Sequence, residues 1–106
     1  MTDWIAKGFR QMQPGVHHRV AQSGEKAMLC EVPITKGSVV DTHAHPHEQI
    51  CYIVSGRVEF TLEQAKVVLS AGESLLLKGN ALHGVVALAD SFILDIFSPP
   101  REDFLQ

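Results

Sequence analysis

From residue 16 to residue 97 apolar and polar side chains alternate with a period of two, in short runs separated by turn-forming residues. That period belongs to extended chain and not to helix, since successive strand side chains point to opposite faces. The pattern predicts strands over 16–21, 28–34, 39–43, 49–54, 58–62, 66–69, 74–77, 83–88 and 92–97. In the second of these, MLCEVPI, the residues Met28, Cys30, Val32 and Ile34 share one face. The breaks fall at Pro14-Gly15, Ser23-Gly24, Lys36-Gly37, Pro46, Ser55-Gly56, Ala71-Gly72, Gly79-Asn80 and Ala89-Asp90, residue types that set turns. So many short, evenly spaced strands, with no long helix and no internal repeat, predict an all-β chain rolled into a double-sheet jelly roll or small barrel.

A chain of 106 residues is one domain, able to bury a core and small enough to gain from dimerisation. A hydrophobic fraction of 45%, a charged fraction of 20% and a net charge of −3 are ordinary globular values. They give no electrostatic reason to expect nucleic acid or an anionic membrane surface. The N-terminal MTDWIAKGFRQMQPG has no apolar signal region, and no run approaches the roughly 20 apolar residues of a membrane span. The expected compartment is the cytoplasm. Cys30 and Cys51 both lie in apolar strand-like runs without the spacing of a zinc or redox motif, as expected of reduced, buried thiols.

The stretch THAHPHEQI, residues 42–50, concentrates ligand-type side chains at the mouth of a strand. On an extended strand His43 and His45 leave the same face about 7 Å apart and can converge on one ion. Gln49 has the same parity, but a straight strand would carry it about 20 Å from His43. The chain must therefore turn, and Pro46 is where a turn would start, bringing Gln49 back beside the histidines. His83 opens another strand after a turn and is a distant fourth donor that a rolled sheet could bring adjacent. Glu48 falls on the opposite face from Gln49, and His47 falls in the turn or at the rim. A HxH pair on a β-pattern also occurs as exposed or hydrogen-bonded histidines, so the pair alone does not define a metal site.

In FILDIFSPPREDF, residues 92–104, alternation puts Ile93, Asp95 and Phe97 on one face and Phe92, Leu94 and Ile96 on the other. An acid is thus held inside an apolar strand, where desolvation raises its pKa toward the range useful for proton transfer. Arg101, past Pro99-Pro100, either pairs with Asp95 as a structural brace or offers its planar fork to a substrate carboxylate. His17 and His18 fall on opposite faces of the first strand and read as surface or structural residues. Trp4 and Phe9 read as docking the N-terminal arm on the barrel or on a second subunit.

The spacing of Gly37, His43-x-His45, Gln49 and Gly56, followed by Gly72 and His83, resembles the two motifs of the cupin family. The departures are Gln49 in place of the usual glutamate, Lys78 and Asn80 in place of a proline and a glycine, and Ala87 in place of an asparagine. The resemblance implies a cupin double-stranded β-helix over 25–106, with residues 1–24 as N-terminal arm and first strand. Three imidazoles and a carboxamide would leave a divalent ion its full +2 charge, where a glutamate would lower it to +1. That favours Lewis-acid or proton-transfer chemistry over an iron dioxygenase.

HPHEQ, LSAGES, HGVVAL and above all LDIFSPPREDF are similar to the small pectin-degradation cupins, which convert ring-form 4,5-unsaturated uronates from pectin and alginate to linear keto forms. The resemblance implies a metal on His43, His45, Gln49 and His83, and Asp95, Phe97 and Arg101 as the functional acid, aromatic and arginine. It also implies a small sugar acid as ligand, and a homodimer. The metal could be zinc, nickel, manganese, cobalt or iron. The competing readings are a sugar-acid sensor without chemistry, or another metal-cupin activity such as a cyclase or dioxygenase.

Overall fold

The computed structural model describes residues 2–106. It has ten strands, β1 (Arg10–Gln13), β2 (Val16–Ser23), β3 (Met28–Ile34), β4 (Val39–His43), β5 (Glu48–Ser55), β6 (Arg57–Leu62), β7 (Lys66–Ser70), β8 (Ser74–Leu77), β9 (His83–Ala87) and β10 (Ser91–Ser98), then a 3-10 turn at Glu102–Leu105. All pairings are antiparallel, in a six-stranded sheet of order β1-β2-β3-β10-β5-β8 and a four-stranded sheet of order β4-β9-β6-β7. The two inner faces close on a main core containing Ile53, Val58, Phe60 and Ile93, with a second cluster of Met28, Cys30 and Phe97. This is the all-β jelly roll that alternation predicts. The nine predicted strands form with ends shifted by two residues at most.

The tenth, β1, has the sequence RQMQ, with no apolar alternation to reveal it. It exists because the Pro14-Gly15 turn folds it back onto β2, in the register Arg10↔His18 and Gln13↔Val16. The arm before it docks on the same subunit. Phe9 is buried edge-on against Trp4 at 5.0 Å, Trp4 lies 6.1 Å from outward-facing Phe92, and the Arg19 guanidinium covers Phe9 at 4.3 Å.

Gly56, between β5 and β6, has φ +89°, and an added Cβ would lie 2.6 Å from Ser91 Cα and closer still to the Asp90 carbonyl. Buried Ser91 cannot yield, because its hydroxyl accepts from the Arg57 amide at 3.0 Å and donates to the Ala89 carbonyl at 2.7 Å. Gly56→Ala is expected to destabilise the chain by about 2–3 kcal/mol through backbone strain and collision. Urea denaturation measures it, and an unchanged midpoint would show that the turn relaxes freely.

Candidate metal centre and cavity

His43 ends β4 and stands opposite His83, the first residue of β9. His45 sits in the turn that Pro46 makes between the sheets, fixed by the Asn80 amide donating to its carbonyl at 2.7 Å. Gly79 permits that contact, since a Cβ there would run into the Pro46 carbonyl. The turn required to bring Gln49 back is therefore present, and Gln49 enters from β5 with its side chain buried while Glu48 is exposed. Ring centroids are 4.4 Å apart for His43 and His83, 5.0 Å for His45 and His83, and 5.7 Å for His43 and His45. One nitrogen from each lies within 4.8 Å of the other two, a cluster that could hold a metal ion.

The tautomers follow from the backbone. Each Nδ1 faces a carbonyl: Asp41 at 2.7 Å for His43, His47 at 3.1 Å for His45 and Ala81 at 3.0 Å for His83. A carbonyl only accepts, so each Nδ1 carries the proton and each Nε2 keeps a free lone pair, the arrangement a metal-binding imidazole needs. Burial lowers the pKa of His45, with Arg101 adding to the effect, and burial is also the main cause that lowers His83. Both rings are thus kept neutral. The Gln49 amide donates to Cys51 Sγ at 3.1 Å, and in that orientation its Oε1 stands 2.9 Å from His45 Nε2, acceptor facing acceptor. Two such atoms repel, and either a cation between them or rotation of the amide, which would present its Nε2 to the imidazole, relieves that repulsion. The close approach of the two atoms suits donors that would share one ion.

A cavity of about 360 Å³ opens onto this cluster, with Asp95, Phe97, Arg101 and Phe104 in its wall. Asp95 lies on β10 between Cys30 of β3 and Cys51 of β5. Its Oδ1 is sealed from water without a hydrogen-bond partner. Burial pushes its carboxyl up, against weaker downward pulls from Cys51, Gln49, Arg101 and His43.

The Asp95–Arg101 brace does not form. Arg101 instead pairs with Asp103, Nη2 to Oδ2 at 2.9 Å, with its guanidinium 4.1 Å from the Phe104 ring centroid and 5.2 Å from that of Phe97. Desolvation by itself would raise Asp103, but the hydrogen bond and charge of Arg101 hold it below the usual carboxylate range. Phe104 and Asp103 went unassigned in the sequence because their positions depend on the 3-10 turn folding back. His18 likewise proves to be buried, inward-facing and part of the cavity wall.

Burial pushes the Cys30 thiol up to about 12, and burial followed by the nearby Asp95 raises Cys51 well above its ordinary value. Both thiols are free. Neither is expected to react with a disulfide reagent at pH 8 in the native protein, while both react in guanidinium, because the thiolate is the reactive form. Rapid labelling of the folded chain would contradict this burial.

The cupin domain family model matches residues 28–97. The pectin degradation protein KdgF of Dickeya dadantii (strain 3937) is 32% identical over 99 residues, covering 92% of this chain and 90% of that protein. The structure of KdgF from Halomonas sp. superposes with a TM-score of 0.86 at 35% identity, covering 90% of each chain. An RmlC-like cupin from Shewanella frigidimarina NCIMB 400 gives 0.85 at 29% identity, over 91% of this chain and 86% of that one. With this fold, this histidine cluster and these similarities, the chain belongs to the cupin family, and within it resembles the pectin degradation protein KdgF.

Proposed function

We propose that this cupin converts ring-form 4,5-unsaturated uronates, released from pectin or alginate, into their linear keto forms. The observation that carries the reading is the convergence on one cavity of bare imidazole nitrogens, a buried acid and an aromatic-stacked arginine, in a chain similar to a pectin degradation protein. The substrate is a cyclic enol ether bearing a carboxylate. Opening it breaks the bond between C1 and the ring oxygen as the anomeric hydroxyl loses its proton and becomes a carbonyl. A proton is gained at C4, so the reaction is an isomerisation with no net oxidation.

A divalent ion held by His43, His45, Gln49 and His83 would supply Lewis-acid polarisation of substrate oxygens. Arg101 holds the carboxylate, since Nη1 is left free by Asp103 and the fork stays planar against Phe97 and Phe104. Asp95, raised by burial, moves the proton between oxygen and C4. Phe97 shapes the wall against which the ring lies. The chain is read as a single cytoplasmic domain working as a homodimer, a state supported by the outward-facing Ile50, Tyr52, Val54, Leu76 and Ile96 of the six-stranded sheet.

The test is to follow the alkene ultraviolet absorbance of an unsaturated monouronate with purified protein. Loss of absorbance above the spontaneous rate, abolished by a chelator and restored by a divalent metal, is expected. Saturable binding with no loss of absorbance would leave a sensor in place of an enzyme.

A further inference from the structure

The proposed chemistry uses residues of β4, β5, β9 and β10 and of the segments that follow β4 and β10, and leaves the N-terminal hairpin without a task. Yet β1 and β2 put polar groups into the wall. His18 is 6% exposed, and its Nδ1 is cut off from water with no hydrogen-bond partner. Gln13 Oε1 is likewise enclosed and unpartnered, while Gln13 Nε2 donates to Asp41 Oδ2 at 3.4 Å, joining the hairpin to β4 of the other sheet. His18, Gln13 and Asp41 all line the cavity that reaches His43, His83 and Asp95.

Leaving a buried polar atom without a partner costs about 1–3 kcal/mol, and folding into the same wall could have used an apolar residue in either place. An unfilled lone pair costs less than an unfilled N–H, so the empty Nδ1 puts the His18 proton on Nε2. Burial, then Arg10 and Arg101, keep the ring neutral. His18, with a donor at Nε2, and the Gln13 carboxamide then stand in one wall beside the Asp41 carboxylate. A set of donors and acceptors of this kind matches alcohol hydroxyls, which need both. His18 also packs edge-on against Phe104 at 4.6 Å, the ring that carries Arg101. Strand order places β2 two strands from β10, about 10 Å across the sheet from Asp95.

We propose that His18 and Gln13 form a hydroxyl-binding subsite, which holds the ring hydroxyls of a sugar acid whose carboxylate is taken by Arg101. The inference rests on the uronate reading above and assigns the N-terminal hairpin a part in recognising the substrate, separate from metal and proton transfer.

The experiment uses the full-length, metal-loaded protein and two variants. His18→Phe keeps a ring against Phe104 and removes both nitrogens; Gln13→Met keeps length and removes the amide. Turnover of an unsaturated monouronate gives KM and kcat, and calorimetry with galacturonate, which has no alkene to open, gives binding alone. KM is expected to rise about tenfold in each variant, the equivalent of one hydrogen bond of about 1.4 kcal/mol, with kcat within about threefold. Galacturonate binding weakens in parallel, and metal content and unfolding temperature stay at the wild-type level.

Unchanged KM in a folded, metal-replete variant overturns the subsite, as does a fall in kcat at constant KM. Should His18→Phe fail to fold, Gln13→Met decides alone. If the wild type leaves the unsaturated uronate intact, the enzymatic reading has failed. Galacturonate binding that weakens in the variants would still support the subsite.

Discussion

Asp95→Asn is expected to lower turnover of an unsaturated monouronate by about 10²- to 10⁴-fold, the usual contribution of a positioned general acid or base, while fold and metal content stay intact. The substitution is isosteric, and its site between Cys30 and Cys51 is closed by backbone pairing on both sides. Because burial already favours the neutral carboxyl, replacing it with a neutral amide removes little charge at low pH. The sign of the stability effect follows by linkage. A carboxyl with a raised folded pKa binds its proton more tightly when folded, so it costs the fold nothing below its unfolded value of about 3.8. It costs progressively more as pH rises from there to the folded pKa. Metal-free Asp95→Asn should therefore match the wild type near pH 3.5 and unfold at a higher temperature near neutrality. Turnover within twofold of wild type would remove Asp95 from the mechanism.

The same strand shows what sequence can and cannot reveal. Alternation was enough to place Asp95 inward with Ile93 and Phe97, because one strand's faces depend only on local parity. The partner of Arg101 was beyond it. Whether that guanidinium meets Asp95 or Asp103 depends on how the last six residues fold over the barrel mouth, and the 3-10 turn at Glu102–Leu105 brings Asp103 round. The gathering of His43, His45 and Gln49 beside His83 was legible for a related reason: three of the four lie within seven positions, and the Pro46 turn that joins them is written in the chain.

The hairpin was the least legible part. RQMQ has no apolar period, so β1 exists only through its pairing with β2. The cavity-facing position of His18 follows from where β2 joins the six-stranded sheet, which no local pattern reports. Parity put His17 and His18 on opposite faces, but could not say which face looks into a cavity.

Gln49→Glu is expected to tighten metal binding and to reduce turnover by about 10²-fold. The charge argument is direct: a carboxylate at the position now held by the Gln49 carboxamide, 2.9 Å from His45 Nε2, would leave the occupied site one positive charge lower, weakening its polarisation of substrate oxygens. A second effect acts in the same direction. The Gln49 side chain now helps to hold Asp95 down against burial, and an anion in its place would repel the Asp95 carboxylate instead, disfavouring the ionised form that takes up the proton. The amide of Gln49 also donates to Cys51 Sγ, a bond that a carboxylate cannot offer. Titration with a competing chelator measures the gain in affinity and alkene absorbance the loss in rate. A variant that binds metal more tightly at undiminished kcat would show that the neutral donor set is not what tunes the reaction.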